Sequence, residues 1–178
     1  MEAKIDKLLM EDKNCVIVYS NGDKRTDIVS DYLALEFLSK EEIIKSMDEG
    51  EEYIFPNVMA VNVLENFDEL RIDLNRILNN SKWANESCII IMNVEKENIE
   101  LLKNFSAHHN VSMVLISEDE KIVVPQLNYS IIDTDYIFSN VKNDEEFAHS
   151  IVELAEAVNL MNESYKEILE VMDMIIDF

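Results

Sequence analysis

The chain has 178 residues, 48% of them hydrophobic, and a formal charge of −22 from 15 basic and 37 acidic side chains. That size and apolar content suit one globular domain and exclude disorder. The charge argues against direct binding to nucleic acid or anionic membranes, both of which require cationic side chains. Two glycines and two prolines exclude collagen-like and glycine-rich phosphate-loop architectures.

Two cysteines, Cys15 and Cys88, each open an aliphatic run and read as buried free thiols rather than a disulfide framework. The opening Met-Glu-Ala-Lys-Ile-Asp lacks the basic and apolar regions of a signal peptide. No apolar run approaches the ~20 residues that span a bilayer. A cytoplasmic protein is the expectation, and the Asn-, Ile-, Lys- and Glu-rich composition points to a bacterial or viral source.

In chain order, residues 15–19 read as a strand and 24–39 as a helix with Ile28, Tyr32, Leu35 and Leu38 on one face. A short acidic helix is expected over 41–48, and a strand over 58–64. Asn66 is placed to cap the next helix, with Glu69 as capping-box partner and Phe67, Leu70, Leu74 and Ile77 as the inner stripe. A strand over 88–92, a helix over 96–108 (Ile99, Leu102, Phe105) and a strand over 111–116 follow. Lys121–Val124 and Tyr136–Phe138 are shorter strand candidates.

Uninterrupted apolar strands alternating with helices predict parallel βαβ units. The expected fold is therefore α/β: a three-layer α/β/α domain over 1–140 with a mainly parallel sheet, plus a long C-terminal helix over 141–178. Ligands of such sheets sit at the strands' C-terminal ends. Here that crest comprises Ser20–Lys24, Leu64–Asn66, Asn93–Glu95 and Ser117–Glu120.

The last segment has its own pattern. Phe147, Ile151, Leu154, Val158, Met161, Tyr165, Ile168, Met172 and Ile175 alternate spacings of four and three without a miss, a heptad register. The flanks Ala155, Ala157, Leu169, Val171 and Ile176 are small or apolar, so the seam is broad. A broad seam suits packing on the sheet or a multi-helix assembly. The interaction reading assigns Ile151, Leu154, Val158, Met161, Tyr165, Ile168, Met172 and Ile175 to a homo-oligomer or hetero-complex interface. From residue 141 onward, Lys142 and Lys166 face ten acids, which gives −8. The rest of the acidity is spread along the chain, and a basic protein partner would complement it.

The loop after the first strand reads Tyr-Ser-Asn-Gly-Asp-Lys-Arg-Thr. Gly22, Lys24 and Thr26 have the residue types of a phosphate-binding loop but not its G-x-x-x-x-G-K-[ST] spacing, and Asp23 sets a negative charge where phosphate would lie. An ordinary turn or a relic loop is the reading.

Further on, one strand ends Cys-Ile-Ile-Ile-Met-Asn-Val-Glu. A helix follows, then Ala-His-His-Asn-Val-Ser-Met-Val-Leu-Ile-Ser-Glu, Val-Pro-Gln-Leu and Thr-Asp-Tyr-Ile-Phe. Over about residues 15–140 this order resembles the RecA-like core of additional-strand P-loop ATPases, in particular the FtsK–HerA and viral genome-packaging branch. The resemblance implies a nucleotide site, but its motif positions are altered. Asn93 stands for the magnesium-organising Asp and Val94 for the water-activating Glu, with Glu95 one place late. Ser117 or Glu118 stands for the sensor Gln, and His108 lacks the preceding arginine. Phosphoryl transfer needs metal, phosphate cradle and base together, so the resemblance implies a pseudoenzyme with no catalytic residues and no cofactor.

Adjacent His108 and His109 cannot easily share a metal, and the cysteines lie in strands. Glu118, Asp119 and Glu120, with Asp133 and Asp135, read as a solvated acidic loop, a magnesium or calcium site being the alternative. Trp83 precedes a buried strand and reads as packing over the sheet edge, with a protein-contact anchor as the alternative. The functional expectation is a non-catalytic accessory or regulatory subunit acting through protein–protein contact. The alternatives are a nucleic-acid-mimicking inhibitor of the phage anti-defence kind and an active P-loop nucleotide hydrolase with an unusual loop.

Overall fold

The computed structural model describes residues 2–12, 15–20, 30–39, 41–42, 45 and 56–176; at 2–4, 11–12, 19–20, 166 and 168–176 only the backbone is described. Helix α1 (Glu2–Lys7) runs into a π-turn over Leu8–Asp12. Strands β1 (Cys15–Ser20), β2 (Tyr32–Glu36) and β3 (Asn57–Leu64) follow. Helix α2 (Glu69–Asn80), strand β4 (Glu86–Ile91), helix α3 (Ile99–His109) and strand β5 (Ser112–Ile116) form the middle of the chain. Strand β6 (Lys121–Val124) and helices α4 (Thr134–Val141) and α5 (Glu145–Ile176) complete it.

The six strands form one mixed sheet in the order β1-β2-β3-β4-β5-β6. Only β3–β4 and β4–β5 pair in parallel; the other three pairs are antiparallel. The mainly parallel sheet expected from the sequence is thus corrected. The cause lies in residues 24–39. Their described part is not a helix but contains β2, whose Tyr32, Leu33, Ala34 and Leu35 are all buried. Leu33 and Leu35 face one side of the sheet while Tyr32 and Ala34 face the other, in two different core clusters. A four-residue apolar run satisfies both a helical stripe and a two-sided strand, and pairing with β1 and β3 selects the strand. Residues 24–29 of the expected helix lie outside the described residues, as do 43, 44 and 46–48 of the acidic one; Glu41, Glu42 and Lys45 are helical.

Right-handed crossovers that always step the same way across a sheet place their helices on one face. The apolar sides of α2 and α3 accordingly meet Leu64, Ile89, Ile91, Met113 and Leu115 together. Helix α5 packs on that same face of the sheet, against Leu33, Leu35, Val58 and Ala60. On the opposite face, Ile5, Leu8 and Leu9 cover Tyr32, Ala34, Met59, Val61, Cys88 and Ile90. Both cysteines are buried and neither forms a disulfide.

Two smaller corrections concern the loops. Tyr136–Phe138 is not a strand but the middle of α4, started by Asp133, whose Oδ1 accepts from the Tyr136 N–H at 3.0 Å. The lead-in to α2 uses the expected side chains in a shifted pattern. Asn66 Oδ1 accepts from the Asp68 N–H at 3.0 Å, and the Glu69 carboxylate accepts from the Glu65 N–H at 2.9 Å.

Helix α5 is capped by Asp144, whose Oδ1 accepts from the Phe147 N–H at 2.9 Å. Phe147 is fully buried and meets Trp83 edge to face, ring centroids 5.5 Å apart at 85°. Trp83 is 1% exposed, so it is a packing residue and not a contact anchor. Leu154, Met161 and Tyr165 are buried, and Ile151 and Val158 half-buried, in the chain's own core. The Tyr165 hydroxyl accepts from the Leu38 N–H at 3.2 Å, tying the helix to the end of β2. These five members of the expected interface therefore serve the domain itself. The side chains of Ile168, Met172 and Ile175 lie outside the described residues.

Candidate functional site: an acidic crest

Strands β3, β4 and β5 end along one edge of the sheet. The Met92 N–H donates to the Leu64 carbonyl at 2.9 Å, and the Val94 N–H to the Ile116 carbonyl at 3.0 Å, so the strand pairing extends into the loops. Between those loops lies a cleft of about 430 Å³ lined by Asn93, Val94, Glu95, Lys96, Ser117, Glu118 and Asp119. A smaller cleft of about 100 Å³ adjoins it, with Asn93 and Glu95 shared and Asn66, Phe67, Asp68 and Asn98 added. Three of the four segments expected on the crest meet here, while residues 21–24 of the fourth lie outside the described residues.

Its chemistry is dominated by carboxylates. Lys96, the one cation among the described residues lining the larger cleft, already pairs with Asp119 at 2.8 Å. Glu95 and Glu118 remain beside it, and Asp68 lines the smaller cleft. The Ser117 hydroxyl faces its own turn, accepting from the Glu120 N–H and donating to the Glu120 carbonyl, each at 3.1 Å. Such a lining repels phosphate instead of cradling it.

The positions carried over from the ATPase resemblance have structural uses. Asn93 sits at φ 53°, a left-handed conformation that Asn tolerates better than most residues. Its Nδ2 donates to the Glu65 carbonyl at 3.1 Å and stitches the ends of β3 and β4 together. Val94 is 4% exposed and packs into the core between sheet and α3, so a side chain at this position points away from solvent. Glu95 does line both clefts. His108 lies in the last turn of α3, at the opposite edge of the sheet from the crest, with its ring 4.8 Å from that of His109. Gly22, Lys24 and Thr26 lie outside the described residues. The strand that leads to them, β1, stands three positions from β4 in the sheet, or about 14 Å at the usual strand spacing.

Asp133 and Asp135 do not join Glu118–Glu120. The Asp133 N–H donates to the Lys82 carbonyl, which precedes β4 at the far edge. Among the described residues no group of three or more His, Cys, Asp or Glu side chains could hold a metal ion. None of the described helices is long and apolar enough to cross a membrane.

A buried polar network below the crest is absent from the sequence reading. Arg76, 5% exposed, bonds Asp31 at 3.0 and 3.4 Å and Asp73 at 2.9 Å. With the Asn62 amide oxygen turned toward it, Arg76 also donates to Asn62 from Nη2 and Nε at 3.0 Å each. The amides of Asn62 and Asn80 meet at 2.6 Å. Asp31 additionally accepts from the Val63 N–H at 2.7 Å, which carries the β2 side of the ladder one step beyond the paired residues. The available sequence signals were Asn62 within an apolar strand and the Asp73–Arg76 spacing on the inner side of α2.

At the opposite edge, the Tyr129 hydroxyl donates to Glu36 at 3.0 Å. Partial burial, followed by the Glu36 charge and this hydrogen bond, holds the phenol well above its usual range. Gln126 and Asn85 bond the backbone there in place of a further strand: Gln126 accepts from the Ser87 N–H at 3.1 Å and Asn85 from the Val58 N–H at 2.8 Å.

Comparisons of the chain with protein-family models, with curated proteins and with solved structures find no match.

Proposed function

We propose that this chain is a non-catalytic, acidic α/β protein that works as an accessory or regulatory subunit by contacting a basic protein. The observation that carries the reading is the crest lining. Where phosphates and metal would converge, the described lining of the larger cleft offers Glu95, Glu118 and Asp119 against one lysine, itself paired with Asp119. The position of the water-activating Glu is filled by Val94, whose side chain is buried. Phosphoryl transfer needs charge neutralisation, a positioned metal and a base at one point; among the described lining residues the lysine is already paired with Asp119, so phosphate charge is not neutralised there. Within this reading, the ATPase resemblance is one of motif order along the sequence, while the sheet itself is mixed, with β1 three positions from β4.

The test is calorimetric titration with Mg·ATP alongside a phosphate-release assay. No saturable heat and no release above the blank are expected. Turnover that disappears in Lys24→Ala would overturn the reading in favour of the hydrolase.

A further inference from the structure

The inner arc of α5 is occupied by the chain's own sheet, and its outer arc faces solvent. At 100° per residue, Glu145, Val152, Glu156, Glu163 and Glu167 fall within about 60° of one another, with Leu160 beside them. All six are exposed, and the two aliphatics strongly so: Val152 is 55% and Leu160 65% exposed. Residues 145–176 carry eight carboxylates and one lysine, Lys166. The one imidazole, His149, lies 3.8 Å from Glu153.

We propose that this outer arc docks a cationic amphipathic helix of another protein. Aliphatic side chains of the partner cover Val152 and Leu160, while its lysines or arginines meet Glu156, Glu163 and Glu167. The proposal rests on the protein-contact reading above and names the surface and the partner's chemistry. Charge decides the occupant. A second copy would bring the same carboxylates and a further −22 to the contact, and nucleic acid or an anionic membrane would be repelled for the same reason. A cationic helix gains on encounter, and the two aliphatics set its register. They lie eight residues apart, about 12 Å along the axis, a spacing that a partner helix matches with anchors two turns apart.

The probe is a labelled synthetic peptide of about three heptads with Leu at a and d and Lys elsewhere. Its fluorescence anisotropy is followed against the full-length chain near physiological salt. Saturable binding is expected, weakened at least about tenfold by Val152→Ser with Leu160→Ser and by Glu156→Lys with Glu163→Lys. Glu118→Lys with Glu120→Lys on the crest changes net charge equally and should leave the affinity within about twofold. The exposed positions of these substitutions keep the fold, as circular dichroism should verify. No binding, equal weakening by the crest pair, an unchanged affinity in the serine variant, or equal binding of a scrambled peptide would each overturn the proposal. Its failure is separable from that of the functional reading: loss of peptide binding without nucleotide turnover removes this surface alone, whereas turnover removes the non-catalytic reading whatever the peptide does.

Discussion

Replacing Arg76 with Met tests the buried network most sharply. The substitution keeps much of the aliphatic stem and removes the guanidinium. Asp31 and Asp73, whose side chains are 14% and 13% exposed, would then lose their 2.9–3.0 Å bonds to it. Asn62 would lose its donor as well. Asp31 would retain the Val63 N–H, so its charge would not be wholly uncompensated. Breaking a buried pair from one side costs about 3–5 kcal/mol, and the retained bond puts the expectation at the lower end, about 3 kcal/mol. Against a usual domain stability of about 5–15 kcal/mol, that is a large fraction. With a urea slope of about 2 kcal/mol/M, the midpoint should fall by about 1.5 M. Trp83, the only tryptophan and buried, gives the fluorescence signal for the titration. Adding Asp31→Asn and Asp73→Asn to the Arg76→Met background should recover more than half of the loss, because the penalty comes from carboxylates that have lost their guanidinium. A single variant costing under about 1 kcal/mol, or a triple variant no better than the single, would refute this reasoning.

Other substitutions follow from the same geometry. Phe147→Ala should cost about 3–5 kcal/mol by opening a cavity beside Trp83, read as a lowered midpoint and altered Trp83 emission. Asn93→Asp restores the residue type of the ATPase motif, yet should destabilise by about 1 kcal/mol, because a carboxylate replaces the donor to the Glu65 carbonyl; thermal melts measure it. The raised Tyr129 phenol favours the protonated form in the fold, so its contribution is present below pH ~10 and is lost as pH rises through the folded value. Tyr129→Phe should therefore flatten the alkaline decline in stability, measured by urea titrations at successive pH values.

Much of the sheet was legible because β3, β4 and β5 are apolar runs with no competing pattern. Cys88–Met92 admits no amphipathic helix, and its neighbours alternate with clear helical stripes. The crest was legible for the same reason, since strand direction fixes which loops share an edge. What escaped depends on pairing. Tyr32–Leu35 fits two periods, and only the presence of β1 and β3 on either side decides between them. Tyr136–Phe138 is β-prone by composition, but Asp133 caps it into a helix. The heptad register of α5 was visible, whereas its direction was not: periodicity tells that Leu154, Met161 and Tyr165 share a face, not which surface that face meets. The Arg76 network was hidden because its members come from three separate elements, and only Asn62 disturbs a local pattern.

The central structural claim is that the described apolar stripe of α5 belongs to this chain's own core and leaves an acidic face that repels its own kind. Light scattering on the full-length chain near physiological salt tests this directly. A mass of 20.7 kDa, independent of concentration and unchanged in Val152→Ser with Leu160→Ser, is the predicted result. A stable dimer or tetramer that dissociates when Leu154 or Met161 is replaced by a polar residue, with the monomer still folded, would contradict it.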